Sequence, residues 1–133
     1  MKNLVETAIN AGTFKTLIIA LREAGLYDIL SSEGPFTIFA PTDEAFSRLP
    51  NGTIEKIMKD KEKLTDILTY HIIPNRVFSK DVNSLQKADT INGKQVKIKT
   101  GNNIKIDDAK IIESDIKCTN GVMHIIDEVL LPK

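Results

Sequence analysis

The feature that most restricts this chain is a change of hydrophobic period near its middle. In the first half the apolar residues recur at helical spacing: Phe14, Leu17, Ile18 and Leu21 fall at i, i+3, i+4 and i+7, the stripe through which a helix buries one face. From Val77 onward they alternate, with Val96 and Ile98 set between Lys97 and Lys99, as residues of a half-buried strand do. Helices first and antiparallel strands later, without strand–helix–strand alternation, predict an α+β domain: a sheet or sandwich covered at one end by helices. At 133 residues and 41% hydrophobic content the chain has the length of one compact unit. No repeat or linker interrupts it, so residues 1–133 are read as a single domain.

Local signals divide the two halves further. A short helix over Leu4–Ile9 ends near Gly12, and a second begins behind Thr13 as N-cap and stops at Gly25. Tyr27 to Leu30 adds a turn of helix. Phe36 to Ala40 is apolar on both faces and belongs inside a sheet. Pro41 ends that strand; Thr42 then caps a helix whose first turn carries Asp43 and Glu44, where the positive end of the helix dipole favours negative charge. Helices over Thr53–Met58 and Asp60–His71 follow, and Pro74 stops the second. Asn92-Gly93 is a hairpin signal joining Thr90-Ile91 to Lys94–Thr100. Further strands are predicted at Ile104–Ile106, Ala109–Ile116 and Val122–Leu131.

Charge removes several classes of partner. Lys+Arg and Asp+Glu number 18 each, so the molecule has no net bias toward nucleic acid or an anionic membrane. Its longest apolar run, Leu17–Leu21, is far short of the ~20 residues that cross a bilayer, and no membrane insertion is expected of this chain. Lys94, Lys97, Lys99, Lys105, Lys110 and Lys117 read as a solvated face or a protected sheet edge, ahead of a binding patch. Cys118 stands alone, so neither an internal disulfide nor a cysteine metal framework can form.

No hydrolase elbow, phosphate loop, dinucleotide glycine pattern or two-histidine zinc helix is present, and no cofactor or metal is predicted. A zinc site on His71 and His124 would need Asp43, Asp66 or Asp127 as further ligands. The simpler reading makes both core histidines with hydrogen-bonded rings, because His71 continues the apolar face of Leu64 and Ile67, and His124 shares a strand face with Val122 and Ile126. Asp107-Asp108 lacks calcium-loop spacing and reads as a solvated turn. Asn51-Gly52-Thr53 matches the glycosylation acceptor pattern, yet a turn followed by a capping threonine explains it equally.

Three separated blocks, "FTIFAPTDEAF", "LTYHIIP" and "TNGVMHIIDEVLLP", occur in that order, with "FKTLIIALREAGL" before them and "NGKQVKI" between the last two. On these the chain resembles the fasciclin domain family over essentially its full length. The resemblance implies a compact wedge of antiparallel or mixed sheets with N-terminal helices packed around it. It also implies a non-catalytic adhesion module outside the cell or on its surface, whose partner is a cell-surface or matrix protein, a polysaccharide or another copy of itself. With 5% aromatic residues and no tryptophan, a sugar-stacking platform is poorly supplied, which favours protein.

Thr42, Asp43 and His71 are expected to form a buried polar cluster locking helices onto strands. Two segments tied to integrin binding in the family are matched by Tyr70-His71 and by Asp115-Ile116, although Glu113, Ser114 and Lys117 depart from the usual neighbours of the second pair. Periodicity places His71 inside, which opposes a contact role for it. The competing reading is a small-molecule binder or an enzyme without a recognisable motif, using a groove between helices and sheet; an intracellular structural domain is a third.

Overall fold

A computed structural model describes residues 2–32, 34–50, 52–82, 86–99, 104–107 and 109–130. Asn51, Asp108, Leu131 and residues 100–103 lie outside them. Among the described residues the helices are α1 (Leu4–Ala11), α2 (Lys15–Ala24), α3 (Tyr27–Ser31), α4 (Asp43–Ser47), α5 (Thr53–Lys59), α6 (Lys61–Thr69) and α7 (Ser79–Val82). The strands are β1 (Phe36–Pro41), β2 (Ile72–Ile73), β3 (Lys87–Asp89), β4 (Gln95–Lys99), β5 (Lys105–Ile106), β6 (Ala109–Cys118) and β7 (Gly121–Ile126). They form one seven-stranded sheet in the order β2-β1-β7-β6-β5-β4-β3, so the α+β class is as the two periods predict.

Several boundaries follow from local chemistry. Asn3 and Glu6 close a capping box on α1, and Gly12 ends it at φ 76, a left-handed backbone that glycine adopts without strain. Asp60 caps α6 by accepting the Lys63 N–H at 3.1 Å. Three differences from the sequence reading stand out. Helix α6 ends at Thr69, leaving His71 in the turn before β2. Strand β3 covers Lys87–Asp89 and pairs Asp89 with Gln95, so residues 90–94 form a hairpin loop longer than the two-residue turn expected at Asn92-Gly93. Helix α7 interrupts the strand-like half.

Strand β1, next to the short edge strand β2, runs antiparallel to β2 and parallel to β7, from Phe36↔Gly121 to Pro41↔Ile126. The sheet is therefore mixed. Gly121 permits this approach: a Cβ there would stand 1.9 Å from the Phe36 carbonyl oxygen, inside any tolerable contact. Strand β6 pairs antiparallel with β7 but shifts register twice, between Ile111 and Glu113 and between Glu113 and Ile116. Such bulges bend a strand and sharpen its twist.

Two apolar cores result. One packs α1, α2, α3 and α6 against Ile38, Ala40, Met123 and Ile125 of β1 and β7. The other joins Phe39, Ile73 and Ile126 of β1, β2 and β7 to Val96, Ile98 and Ile106 of β4 and β5. Those strands are not neighbours in the sheet, so the sheet curls over its own second face and closes the wedge.

Candidate functional site

The corner after β1 is built by Thr42 and Asp43. Thr42 Oγ1 accepts the Ala45 N–H at 3.1 Å and caps α4. Asp43 reaches elsewhere: its carboxylate accepts Thr16 N–H at 2.8 Å and Lys15 N–H at 3.3 Å, while its own N–H donates to the Thr13 carbonyl at 2.8 Å. Helix α2 has no side-chain cap of its own, Phe14 standing at the N-cap position. The N-terminal N–H groups that an isolated helix leaves unpaired are thus taken up from across the fold by Asp43, which corrects the expectation that the Thr13 hydroxyl caps this helix.

His71 is 1% exposed. Its Nδ1–H donates to the Ile67 carbonyl at 2.7 Å, in the last turn of α6, and its Nε2 accepts the Leu130 N–H at 2.9 Å. Burial pulls its pKa from 6.5 to about 4, against smaller opposing effects of the Ile67 bond and the Asp107 charge, so the ring is neutral at physiological pH. Among the described residues no hydrogen bond joins His71 to Thr42 or Asp43, and those two are only half-buried. The expected three-residue cluster is therefore two separate ties. The physical reason is the early end of α6, which turns His71 toward Ile67 and Leu130 while Asp43 faces α2.

Tyr70 is 4% exposed. Its hydroxyl donates to Asp107 Oδ2 at 2.7 Å, and Asp107 Oδ1 accepts the Lys97 N–H at 2.8 Å. Burial and the Asp107 carboxylate push the phenol above its ordinary pKa. Tyr70 and His71 are both buried, which weighs against the contact role that the resemblance implies for that pair.

Asp115 lies differently. It sits in the bulged stretch of β6 at φ 59, a left-handed conformation that Asp tolerates better than most residues. Its carboxylate accepts the Ser79 N–H at 2.7 Å and the Ser79 hydroxyl. Burial alone would raise its pKa, but the two Ser79 bonds and the His124 and Lys117 charges outweigh this and hold it below the usual carboxylate range. The Asp115 N–H donates to His124 Nδ1 at 3.2 Å, and His124 Nε2–H donates to the Val77 carbonyl at 2.6 Å. Burial lowers the His124 pKa despite the Val77 bond and the nearby Asp115; its ring stacks on Phe39 with centroids 5.8 Å apart. Thr37 completes the tie, its Oγ1 accepting the Val77 N–H at 2.8 Å. The strap at 75–79 is thereby fastened across β1, β7 and β6.

The outer side of that strap is a shallow depression lined by Phe78, Ser79, Lys80, Asp115 and Lys117. Ile116 is half-buried and packs against the first core. Of the residues proposed from sequence, Asp115 and Ile116 stay together at a partly exposed edge, away from the buried Tyr70 and His71. Sequence reading missed Ser79, the partner of Asp115, and Asn120, whose side chain accepts Leu4 N–H at 2.9 Å and donates to the Leu30 and Ser32 carbonyls at 2.6 and 2.8 Å. Asn120 reads as an ordinary turn residue; the only signal was its place before Gly121. As for chemistry, both ring nitrogens of both histidines are engaged by partners, and both side chains are buried.

Comparison with known proteins agrees with this architecture. The family model "Fasciclin domain" matches residues 12–132. The chain is 43% identical over 133 residues to "Protein sll1483" of Synechocystis sp., covering 97% of this chain and 73% of that protein. It is 35% identical over 120 residues to "Transforming growth factor-beta-induced protein ig-h3" of Sus scrofa, covering 90% of this chain and 18% of that one. Among solved structures, a FAS1 domain pair from the insect cell adhesion molecule Fasciclin I superposes with a TM-score of 0.68 at 26% identity, over 87% of this chain and 44% of that one. On the sequence blocks, the mixed curled sheet and these matches together, the chain belongs to the fasciclin domain family.

Proposed function

We propose that this domain is a non-catalytic adhesion module that works outside the cell or at its surface and binds a protein partner through the edge around Asp115. The observation that carries this reading is the employment of its polar residues. Asp43, His71, His124 and Asn120 each spend their hydrogen-bonding groups on joining helices, strap and strands, whereas a catalytic acid or base needs a free group facing substrate. Likeness to a domain pair named for a cell adhesion molecule supports the same reading. At the Asp115 edge, a carboxylate held ionised lies beside Lys80 and Lys117. That pattern of both signs suits a protein surface of complementary charge. Affinity per copy is weak in such a module, and dense display raises it.

The test is attachment of beads densely coated with the domain to cells of the organism that makes it. Attachment is expected to vanish after mild proteolysis of the cell surface and to fall several-fold with Asp115→Asn combined with Lys117→Ala. Attachment that survives proteolysis excludes a protein partner. Reproducible turnover of a substrate, lost in a folded His71 or Asp43 variant, overturns the non-catalytic reading.

A further inference from the structure

The register of the distal strands gathers lysines that sequence alternation leaves scattered. Lys99 of β4 stands directly opposite Lys105 of β5, and Lys105 stands directly opposite Lys110 of β6. Residues paired in this way share one face of a sheet, so the three lysines form a row across three strands. Their spacing is one strand separation, about 4.8 Å, and the row is about 10 Å long. On the same face Lys97 lies two residues from Lys99 and is paired with Lys87 of β3. All five are exposed, while Val96, Ile98 and Ile106 on the reverse face are buried in the second core. The row therefore cannot turn away from solvent.

Like charges directly opposed in a sheet are destabilising, and among the described residues no ion pair involving any of the five offsets these. The acids at the margin are engaged otherwise: Asp89 accepts from Gln95 Nε2, Asp107 from Tyr70 and the Lys97 N–H, and Asp127 from the Lys110 N–H while its second oxygen lies 3.8 Å from Arg48. A chain whose total charge is zero thus aligns exposed lysines of three neighbouring strands along one line.

We propose that this face binds a linear acidic polysaccharide, a chain of uronate sugars with one carboxylate per residue, which the long, mobile lysine side chains can reach along a single strand. The geometry selects among polyanions. Asp89, Asp107 and Asp127 flank the row and would repel a broad anionic surface such as a bilayer, while a single strand laid along the lysines avoids them. Among its described residues the face presents no aromatic side chain to stack on bases or to enter a membrane interface. Charge recognition also removes the objection that the domain lacks sugar-stacking aromatics, because the carboxylates and not the sugar rings are held. This surface is distinct from the Asp115 edge: β6 carries Lys110 near its start, before the first bulge, and Asp115 within the second.

The test is retention of the domain on immobilised polygalacturonate at about 20 mM and about 150 mM salt, with phosphatidylserine vesicles, duplex DNA and neutral dextran in parallel. Selective retention on polygalacturonate at low salt is expected, weakened roughly a hundredfold by Lys99→Gln, Lys105→Gln and Lys110→Gln together. The same substitutions at Lys56, Lys59 and Lys63, exposed on α5 and α6, should change it less than about twofold. A second reading needs no ligand: the row triple melts higher than the wild type at low salt, because the cross-strand repulsion is gone. Absence of retention at low salt, equal loss in both triples, or vesicles or DNA bound as tightly as polygalacturonate overturns the proposal. Neither result bears on protease-sensitive cell attachment, so the two readings fail separately.

Discussion

His71 donates from Nδ1 to Ile67 and accepts at Nε2 from Leu130, so a second proton on the ring meets the Leu130 N–H head on. That clash adds to the desolvation of a ring 1% exposed. With a folded pKa of about 4 against an ordinary 6.5, the unfolded chain binds a proton over the interval between them and the folded chain does not. Stability is then fully present above about pH 6.5 and falls with pH through this window, because protons favour the state that takes them. At about 1.4 kcal/mol per pH unit the loss approaches 3 kcal/mol by pH 4, a large part of the 5–15 kcal/mol typical of a domain. His124, lowered in the same direction, acts with the same sign. Urea unfolding followed by circular dichroism at a series of pH values measures the effect in wild type and in His71→Leu. The variant starts from lower stability, since the Ile67 carbonyl and Leu130 N–H lose their partner at about 1–3 kcal/mol each, but its curve flattens between pH 6.5 and 4. Parallel curves for the two proteins, or an imidazole titration by NMR placing His71 near 6.5, would refute the reasoning.

Asp43→Ala should cost about 1–2 kcal/mol by stripping α2 of its borrowed cap, while Thr13→Ala should stay within about 0.5 kcal/mol. Equal effects in chemical denaturation would return the cap to Thr13. Gly121→Ala places a methyl group 1.9 Å from a backbone oxygen that cannot swing aside, so the loss should exceed the roughly 1–3 kcal/mol of ordinary overpacking. A melting temperature close to wild type in that variant would show that β1 and β7 do not meet at this register.

What was legible in the sequence was what chemistry close along the chain decides. The helices α1 and α2 declare themselves by apolar spacing and by Gly12 and Gly25, and β1 by being apolar on both faces. Thr42 caps its own helix and was readable for that reason. Asp43 was not, because its partners Lys15 and Thr16 come near only after folding. The placement of His71 in the core was right, although the helix thought to carry it ends at Thr69 and the turn delivers the ring. The parallel pairing of β1 with β7, the bulges of β6 and the left-handed Asp115 leave no mark in local pattern, since each depends on how distant strands dock. The lysines illustrate the same boundary: their alternation along β4 is visible, but their alignment across three strands exists only in the register.

The adjacency of Phe36–Pro41 to Gly121–Ile126 also governs how the protein is made. A growing chain exposes this apolar strand early and has no lateral neighbour for one side of it until nearly all the sequence has been synthesised. Long-range closure of this kind is slow and leaves sticky segments open. The sheet of this polypeptide therefore closes only after Gly121–Ile126, its last strand, has been made.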